Sequence, residues 1–124
     1  MEFKIDTKDT FTVITPITDK INANLTGALA EKCIQTRQSG SSNLIIDLQN
    51  CKEIDKTTVP QLIKLHEDSY SQEQLLVFTH VSEKVMAVLK EDETDLLINV
   101  APRMDEAIDI ISMEILERDL FNEE

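Results

Sequence analysis

The chain has 124 residues, with 24 acidic and 12 basic side chains and a formal net charge of −12. This length predicts one domain with a buried core, and the acidic balance argues against nucleic-acid binding, which requires clustered Lys and Arg. The sequence contains no apolar run of the roughly 18 residues that span a bilayer, and it begins without a signal-peptide pattern. We therefore predict a soluble, cytoplasmic protein with no membrane segment.

The first part of the chain predicts a hairpin followed by a helix. Residues 3–7 and 10–15 alternate apolar and polar side chains on either side of a polar turn, which is typical of an antiparallel hairpin at a sheet edge. Residues 23–37 carry apolar side chains at helical spacing. A Ser-Gly-Ser-Ser loop at 39–42 then leads into the next strand.

The middle of the chain predicts a buried strand and an amphipathic helix. Residues 44–48 are apolar apart from Asp47, as expected of a parallel strand buried on both faces. After a polar corner at 55–58, apolar side chains recur at spacings of three and four and predict a helix. The inner face of that helix is predicted to consist of Val59, Leu62, Ile63, His66 and Tyr70.

Two residues indicate where this helix begins. Pro60 has no N–H and is tolerated in the first helical turn, where no intrahelical bond is lost. Thr58 as N-cap and Gln61 three residues later match a capping box. The polar corner is therefore predicted to lie at a helix N-terminus, where unpaired N–H groups and the positive end of the dipole lie together.

Strand and helix patterns alternate again towards the end of the chain. Residues 75–79 predict a buried strand, Ser82 caps a short helix, and residues 96–100 predict the last strand. A final helix starts at Pro102, and its core-facing side chains are predicted to be Met104, Ala107, Ile108, Ile111 and Ile115. The resulting fold class is α/β: a mixed sheet of about five strands, with an N-terminal hairpin and parallel strands joined by about four helices.

The last helix continues its apolar pattern beyond the predicted end of the sheet. Met113, Leu116, Leu120 and Phe121 lie in a C-terminal helical extension, residues 113–124, of a single domain spanning 1–124. Two interpretations are open: the extension folds back on its own domain, or it offers an apolar face to a second subunit or another partner.

The central segment, L-I-I-D-L-x-x-C-K-E-I-D-K-T-T-V at residues 44–59, resembles the centre of a STAS domain. This module occurs in bacterial anti-sigma factor antagonists and in sulfate-transporter tails. Residues 106–108, Glu-Ala-Ile, are similar to a segment of the family's terminal helix. The resemblance implies a protein-interaction module that binds a kinase-type anti-sigma factor through Asp55 to Val59 and so regulates transcription.

The family's Asp-Ser-Ser-Gly motif falls on Asp55, Lys56, Thr57 and Thr58. Asp55 matches, but Lys56 replaces the serine that is phosphorylated in the family and has no hydroxyl. Two hypotheses are open: the protein binds its partner constitutively, or phosphorylation has moved to Thr57 or Thr58. Thr57 is the better acceptor of the two if the Thr58 hydroxyl caps the helix. Asp55 itself is predicted to order the loop by accepting backbone hydrogen bonds, and Asp47 to do similar work.

Other functions are compatible with this fold to different degrees. A scaffolding STAS subunit that dimerises through the last helix is the main alternative, and a small-molecule-sensing STAS domain is a weaker one. A receiver domain would need an acidic pair after the first strand and a Lys before the Pro that follows the last strand, and this chain has neither.

No catalytic or cofactor site is predicted. Gly27 and Gly40 are the only glycines, too few for a phosphate cradle. His66 is predicted to be a packed or partly exposed side chain, and His80 has no ligand partners at zinc spacing. Cys33 and Cys51 are predicted to be reduced thiols, because their spacing matches no redox or metal motif. We therefore expect neither an enzyme, a metal nor a cofactor.

Overall fold

The computed structural model describes residues 2–122, and its side chains as far as residue 120. The chain alternates strands and helices along its length. The strands are β1 (Phe3–Thr7), β2 (Thr12–Pro16), β3 (Lys20–Ile21), β4 (Asn43–Asp47), β5 (Glu53–Ile54), β6 (Leu75–Thr79) and β7 (Val100–Ala101). The helices are α1 (Ala23–Gln38), α2 (Val59–Ser71), α3 (Glu83–Glu91) and α4 (Met104–Asn122), with 3-10 turns at Lys56–Thr58 and Thr94–Leu96.

Five of the strands form one mixed sheet in the order β1-β2-β4-β6-β7. The β1–β2 pair is antiparallel and forms the predicted hairpin, whereas the β2–β4, β4–β6 and β6–β7 pairs are parallel. The predicted fold class is therefore confirmed. A second, two-stranded parallel ladder joins β3 to β5, and this ladder was not predicted.

The sheet is covered on both faces, which explains its apolar strands. On one face, Ile46 and Phe78 pack with buried side chains of α1, α2 and α3. On the other face, Ile45 and Val77 pack against Ala107 and Ile111 of α4. The central strand β4 is buried throughout, as the sequence predicts. Within residues 2–122, none of the helices combines the length and the hydropathy of a membrane span.

Two sequence predictions about the helical layer and the last strand are wrong. Leu96 and Leu97 are exposed in and after a 3-10 turn, and only Val100–Ala101 pairs with the sheet. The predicted strand over residues 96–100 relied on an apolar run. In the structure, Ile98 is the residue of this run whose side chain is buried. Tyr70 is also exposed instead of lying on the inner face of α2, where Ser69 takes that position.

The turn after α2 predicts a stabilising substitution. Glu73 has a φ of 59°, and this left-handed conformation is unfavourable for a residue with a Cβ. We expect Glu73→Gly to raise the free energy of unfolding by about 0.5–1 kcal/mol, measured by urea denaturation. Gln72→Gly is the matched control, because Gln72 has a φ of −97°. An equal gain in both variants would contradict this explanation.

Candidate functional site

The polar corner predicted from the sequence lies directly before α2. We call residues Asp55–Val59 the α2 corner. Its 3-10 turn runs without a break into the helix, and the Asp55 N–H donates to the carbonyl of Ile21 at 2.8 Å. This bond anchors the corner to the small β3–β5 ladder, so the ladder positions the start of α2.

Asp55 orders the corner through its carboxylate. Its Oδ1 accepts hydrogen bonds from the Thr57 N–H at 3.1 Å and from the Thr57 hydroxyl at 2.8 Å. These bonds, first that of the hydroxyl and then that of the N–H, hold the pKa of Asp55 below its usual value. Asp55 thus makes the backbone bond that the sequence predicts for it.

The predicted capping box at Thr58 does not form. The Thr58 hydroxyl donates to the Asp55 carbonyl at 2.6 Å, and it makes no capping bond to α2. The Gln61 side chain accepts instead from the hydroxyl of Thr26 in α1 at 2.6 Å. Thr58 has helix-like backbone angles, because it is the last residue of the 3-10 turn, so its side chain does not reach the N–H groups of α2.

The five predicted residues divide by exposure. Lys56 and Thr57 face solvent, Asp55 is half-buried, and Thr58 and Val59 are buried. The surface that a partner could contact is therefore formed by Lys56 and Thr57, with the edge of Asp55. Burial of Thr58 leaves Thr57 as the accessible hydroxyl in the corner.

Two ion pairs link the corner and the preceding strand to α3. Lys56 pairs with Glu91, and Lys84 pairs with Glu53 at 2.8 Å. Hydrogen bonds within these pairs raise the pKa of Lys56 and lower that of Glu53. All four side chains are exposed, so the pairs contribute little stability. The Lys56–Glu91 pair fixes the position of the charged side chain that precedes Thr57 in the chain.

Neither ion pair could be predicted from the sequence, because the partners are far apart in the chain. It also missed a contact between the ends of β4 and β6. Asp47 is buried, and its carboxylate accepts from the Gln49 N–H at 3.1 Å and lies 2.9 Å from Nδ1 of His80. His80 has a φ of 55°. Asp47 therefore orders the loop after β4 and also ties it to the segment after β6.

Neither thiol is exposed at the surface. Cys33 and Cys51 are free and buried. Burial raises the pKa of each to about 11, which leaves the reactive thiolate form scarce near neutral pH. Across the described residues, no group of three or more His, Cys, Asp or Glu side chains could hold a metal ion.

Acid conditions provide a test of the Asp55 contacts. The folded-state pKa of Asp55 lies below its unfolded value of about 3.9. Its contribution to stability is therefore present above pH 4 and is lost as the pH falls through the folded pKa. We expect Asp55→Ala to be less stable than the wild type at pH 7, with the difference shrinking below pH 4. Urea denaturation from pH 3 to pH 7 measures the difference in free energy of unfolding between the two proteins. Asp92→Ala is the control, because Asp92 is an exposed acid outside the corner.

The second predicted site, on α4, is exposed to solvent. Met113, Leu116 and Leu120 are 62%, 63% and 67% exposed, so these side chains do not fold back on their own domain. Phe121 belongs to the same helix, but its side chain lies outside the described residues. We call Met113, Leu116 and Leu120 the α4 surface.

Comparison with known proteins gives matches at the level of structure. The sequence matches no protein-family model, and no curated protein is significantly similar to it. Among solved structures, RsbS of Moorella thermoacetica is similar with a TM-score of 0.70 and 17% identity, covering 95% of this chain and 99% of that one. A STAS-domain anti-sigma factor antagonist from Planctomyces limnophilus gives a TM-score of 0.68 and 16% identity, with coverages of 88% and 96%.

A third match is the anti-sigma factor antagonist SpoIIAA in its unphosphorylated form. It has a TM-score of 0.67 and 14% identity, and the alignment covers 90% of this chain and 96% of that one. These alignments include nearly the whole of each domain.

This chain has the STAS fold. In this STAS fold the α2 corner follows the carboxyl end of the central strand β4, after the loop ordered by Asp47 and the short strand β5. Open α/β folds place their binding surfaces at that edge of the sheet. The α4 surface lies on the other side of the sheet, since α1, α2 and α3 share the opposite layer.

Proposed function

We propose that this protein is an interaction module that binds a kinase-type anti-sigma factor through the α2 corner and thereby regulates transcription. The observation that carries the proposal is the exposure of Lys56 and Thr57 at the start of α2, on a turn held by Asp55. The STAS fold shared with anti-sigma factor antagonists supports the choice of partner.

The charges of the molecule indicate what the partner surface should offer. The chain carries a net charge of −12, which favours encounter with a basic surface and raises the association rate at low salt. At the corner itself, Glu91 neutralises Lys56. Contact there would therefore depend on shape and on hydrogen bonds to Thr57 more than on a free cation.

We further propose that binding is constitutive. Lys56 occupies the position at which the family carries its phosphorylated serine, and its ammonium group is already paired with Glu91. The hydroxyl of Thr57 donates to Asp55, so a phosphate at Thr57 would remove this bond and place a dianion beside a carboxylate. Either effect would disturb the turn that presents the binding surface.

A purified kinase-type anti-sigma factor from the same organism tests both parts of the proposal. We expect isothermal titration calorimetry to show binding without prior modification, and intact mass after incubation with ATP to show no added phosphate. Lys56→Glu should weaken binding, whereas Lys8→Glu, an exposed change in the β1–β2 turn, should not. Equal binding by wild type and Lys56→Glu would refute the corner as the contact. Phosphate added to wild type but not to Thr57→Ala would replace constitutive binding by a switch at Thr57.

The exposed α4 surface favours a second candidate function, that of a scaffolding STAS subunit which dimerises through α4. Three exposed apolar side chains on adjacent turns of one helix are typical of an interaction face. On this alternative, sedimentation velocity would show a dimer for wild type and a monomer for Leu116→Asp. Leu97→Asp, at a leucine of similar exposure outside α4, is the matched control.

A further inference from the structure

The outer edge of β1 is open. In the described part of the chain, β1 is the last strand of its sheet and pairs only with β2. Four of its five residues are exposed. An uncovered edge strand presents free N–H and C=O groups on which another strand can align.

The hydrogen bonds of the hairpin show which backbone groups are free. The Lys8 N–H donates to Phe11, and the Ile17 N–H donates to Glu2. In an antiparallel pair such bonds recur at every second residue, so even-numbered residues of β1 bond to β2. The N–H and C=O groups of the odd-numbered residues, Phe3, Ile5 and Thr7, therefore point away from the sheet.

The sequence of this edge is complementary to itself. If a second β1 lies antiparallel to the first with Ile5 opposite Ile5, the outward groups of Phe3 fall opposite those of Thr7. The same register sets Lys4 of each copy opposite Asp6 of the other. These are the non-hydrogen-bonded positions, where facing side chains are closest and opposite charges are favourable.

The two faces of the strand suit this register. Phe3 packs against the core on the α1 side of the sheet, so Ile5 lies on that side too, because side chains two apart share a face. Ile5 is 44% exposed, and on the α1 side of the sheet it would contact Ile5 of the second copy. Lys4 and Asp6 lie on the α4 side, where Asp6 also has Lys8 at 3.3 Å.

We propose that two copies of this chain associate through their β1 edges, forming one continuous ten-stranded sheet about a two-fold axis at Ile5. Six backbone hydrogen bonds and two Lys4–Asp6 pairs join the copies. The contact is small, so the dimer belongs to the weak class of interfaces. The net charge of −12 on each copy opposes association and is screened by salt, so the dimer is favoured as ionic strength rises.

Charge exchange tests the register directly. Lys4→Asp places acids opposite acids, and Asp6→Lys places bases opposite bases, so each variant alone should have a dissociation constant raised about tenfold or more. An equimolar mixture should restore association, because each acidic edge then faces a basic one. Sedimentation equilibrium with differently labelled variants measures this, and far-UV circular dichroism verifies that each variant is folded.

Amide hydrogen exchange on the wild type gives an independent readout. As protein concentration rises, the N–H groups of Phe3, Ile5 and Thr7 should become protected, while those of Lys4 and Asp6 should not change. A monomer at all concentrations would overturn the proposal, as would a dimer that neither Lys4→Asp nor Asp6→Lys weakens. A dimer lost in Leu116→Asp and kept in both edge variants would assign self-association to the α4 surface.

Discussion

Replacing Phe78 with alanine is expected to lower the free energy of unfolding by about 3–5 kcal/mol. Phe78 is 1% exposed and lies in β6, between the central strand and the edge strand β7. Its ring packs in the layer formed with α1, α2 and α3. Removing the ring loses its transfer free energy and leaves a cavity that the surrounding helices fill only in part.

Urea denaturation of wild type and Phe78→Ala measures this effect. Tyr70→Ala is the matched aromatic control, because Tyr70 is 69% exposed, and it should change the free energy of unfolding by about 0.5 kcal/mol or less. Similar losses in the two variants would mean that the ring of Phe78 does not lie in the core.

Replacing Thr57 with glutamate is expected to lower the affinity for the anti-sigma factor by about a hundredfold, equivalent to about 2.7 kcal/mol of binding free energy. Glutamate cannot donate to Asp55 as the Thr57 hydroxyl does at 2.8 Å, and it adds a second carboxylate beside the first. The exposed turn at the centre of the proposed interface would then lose the hydroxyl bond and gain charge repulsion, with only the Thr57 N–H still donating to Asp55.

Calorimetric titration with the purified partner gives this affinity. Thr57→Val separates the two causes, since it removes the hydroxyl without adding a charge and should weaken binding less. Thr10→Glu adds the same charge at an exposed site in the β1–β2 turn and should bind as the wild type does. Full affinity in Thr57→Glu would place the binding surface elsewhere on the molecule.

The sequence predicted the layers of this fold because its strongest patterns are long and regular. The apolar run of β4, the helical spacing in α1 and α4, and the alternation in the hairpin each repeat over several residues. Each pattern therefore predicts the type of element, because strand and helix periods follow from local backbone geometry alone. The two-residue strands β3 and β5 are too short to show a period, and this ladder was missed.

The sequence predicted where the candidate site lies in the chain, but it did not predict the hydrogen bonds of Thr58 and Gln61. A polar segment before Pro60 predicted the start of α2. Asp55 was predicted to order the loop, because its short side chain can accept hydrogen bonds from nearby backbone N–H groups. The role of Thr58 could not be predicted, because a capping box and a preceding 3-10 turn fit the same residues. The side chain of Gln61 accepts a hydrogen bond from the hydroxyl of Thr26, which lies 35 positions earlier in the chain. Only the packing of α1 on α2 brings these two side chains together.

The sequence by itself determined the α/β layering, the buried central strand and the place where α2 begins, since these depend on hydrophobic period and on backbone chemistry near each residue. Only the tertiary structure decided that Lys56 is paired with Glu91, that Thr58 is buried while Thr57 is exposed, and that β1 has an open edge. These features depend on which distant segments become neighbours, and a one-dimensional pattern contains no distances between them.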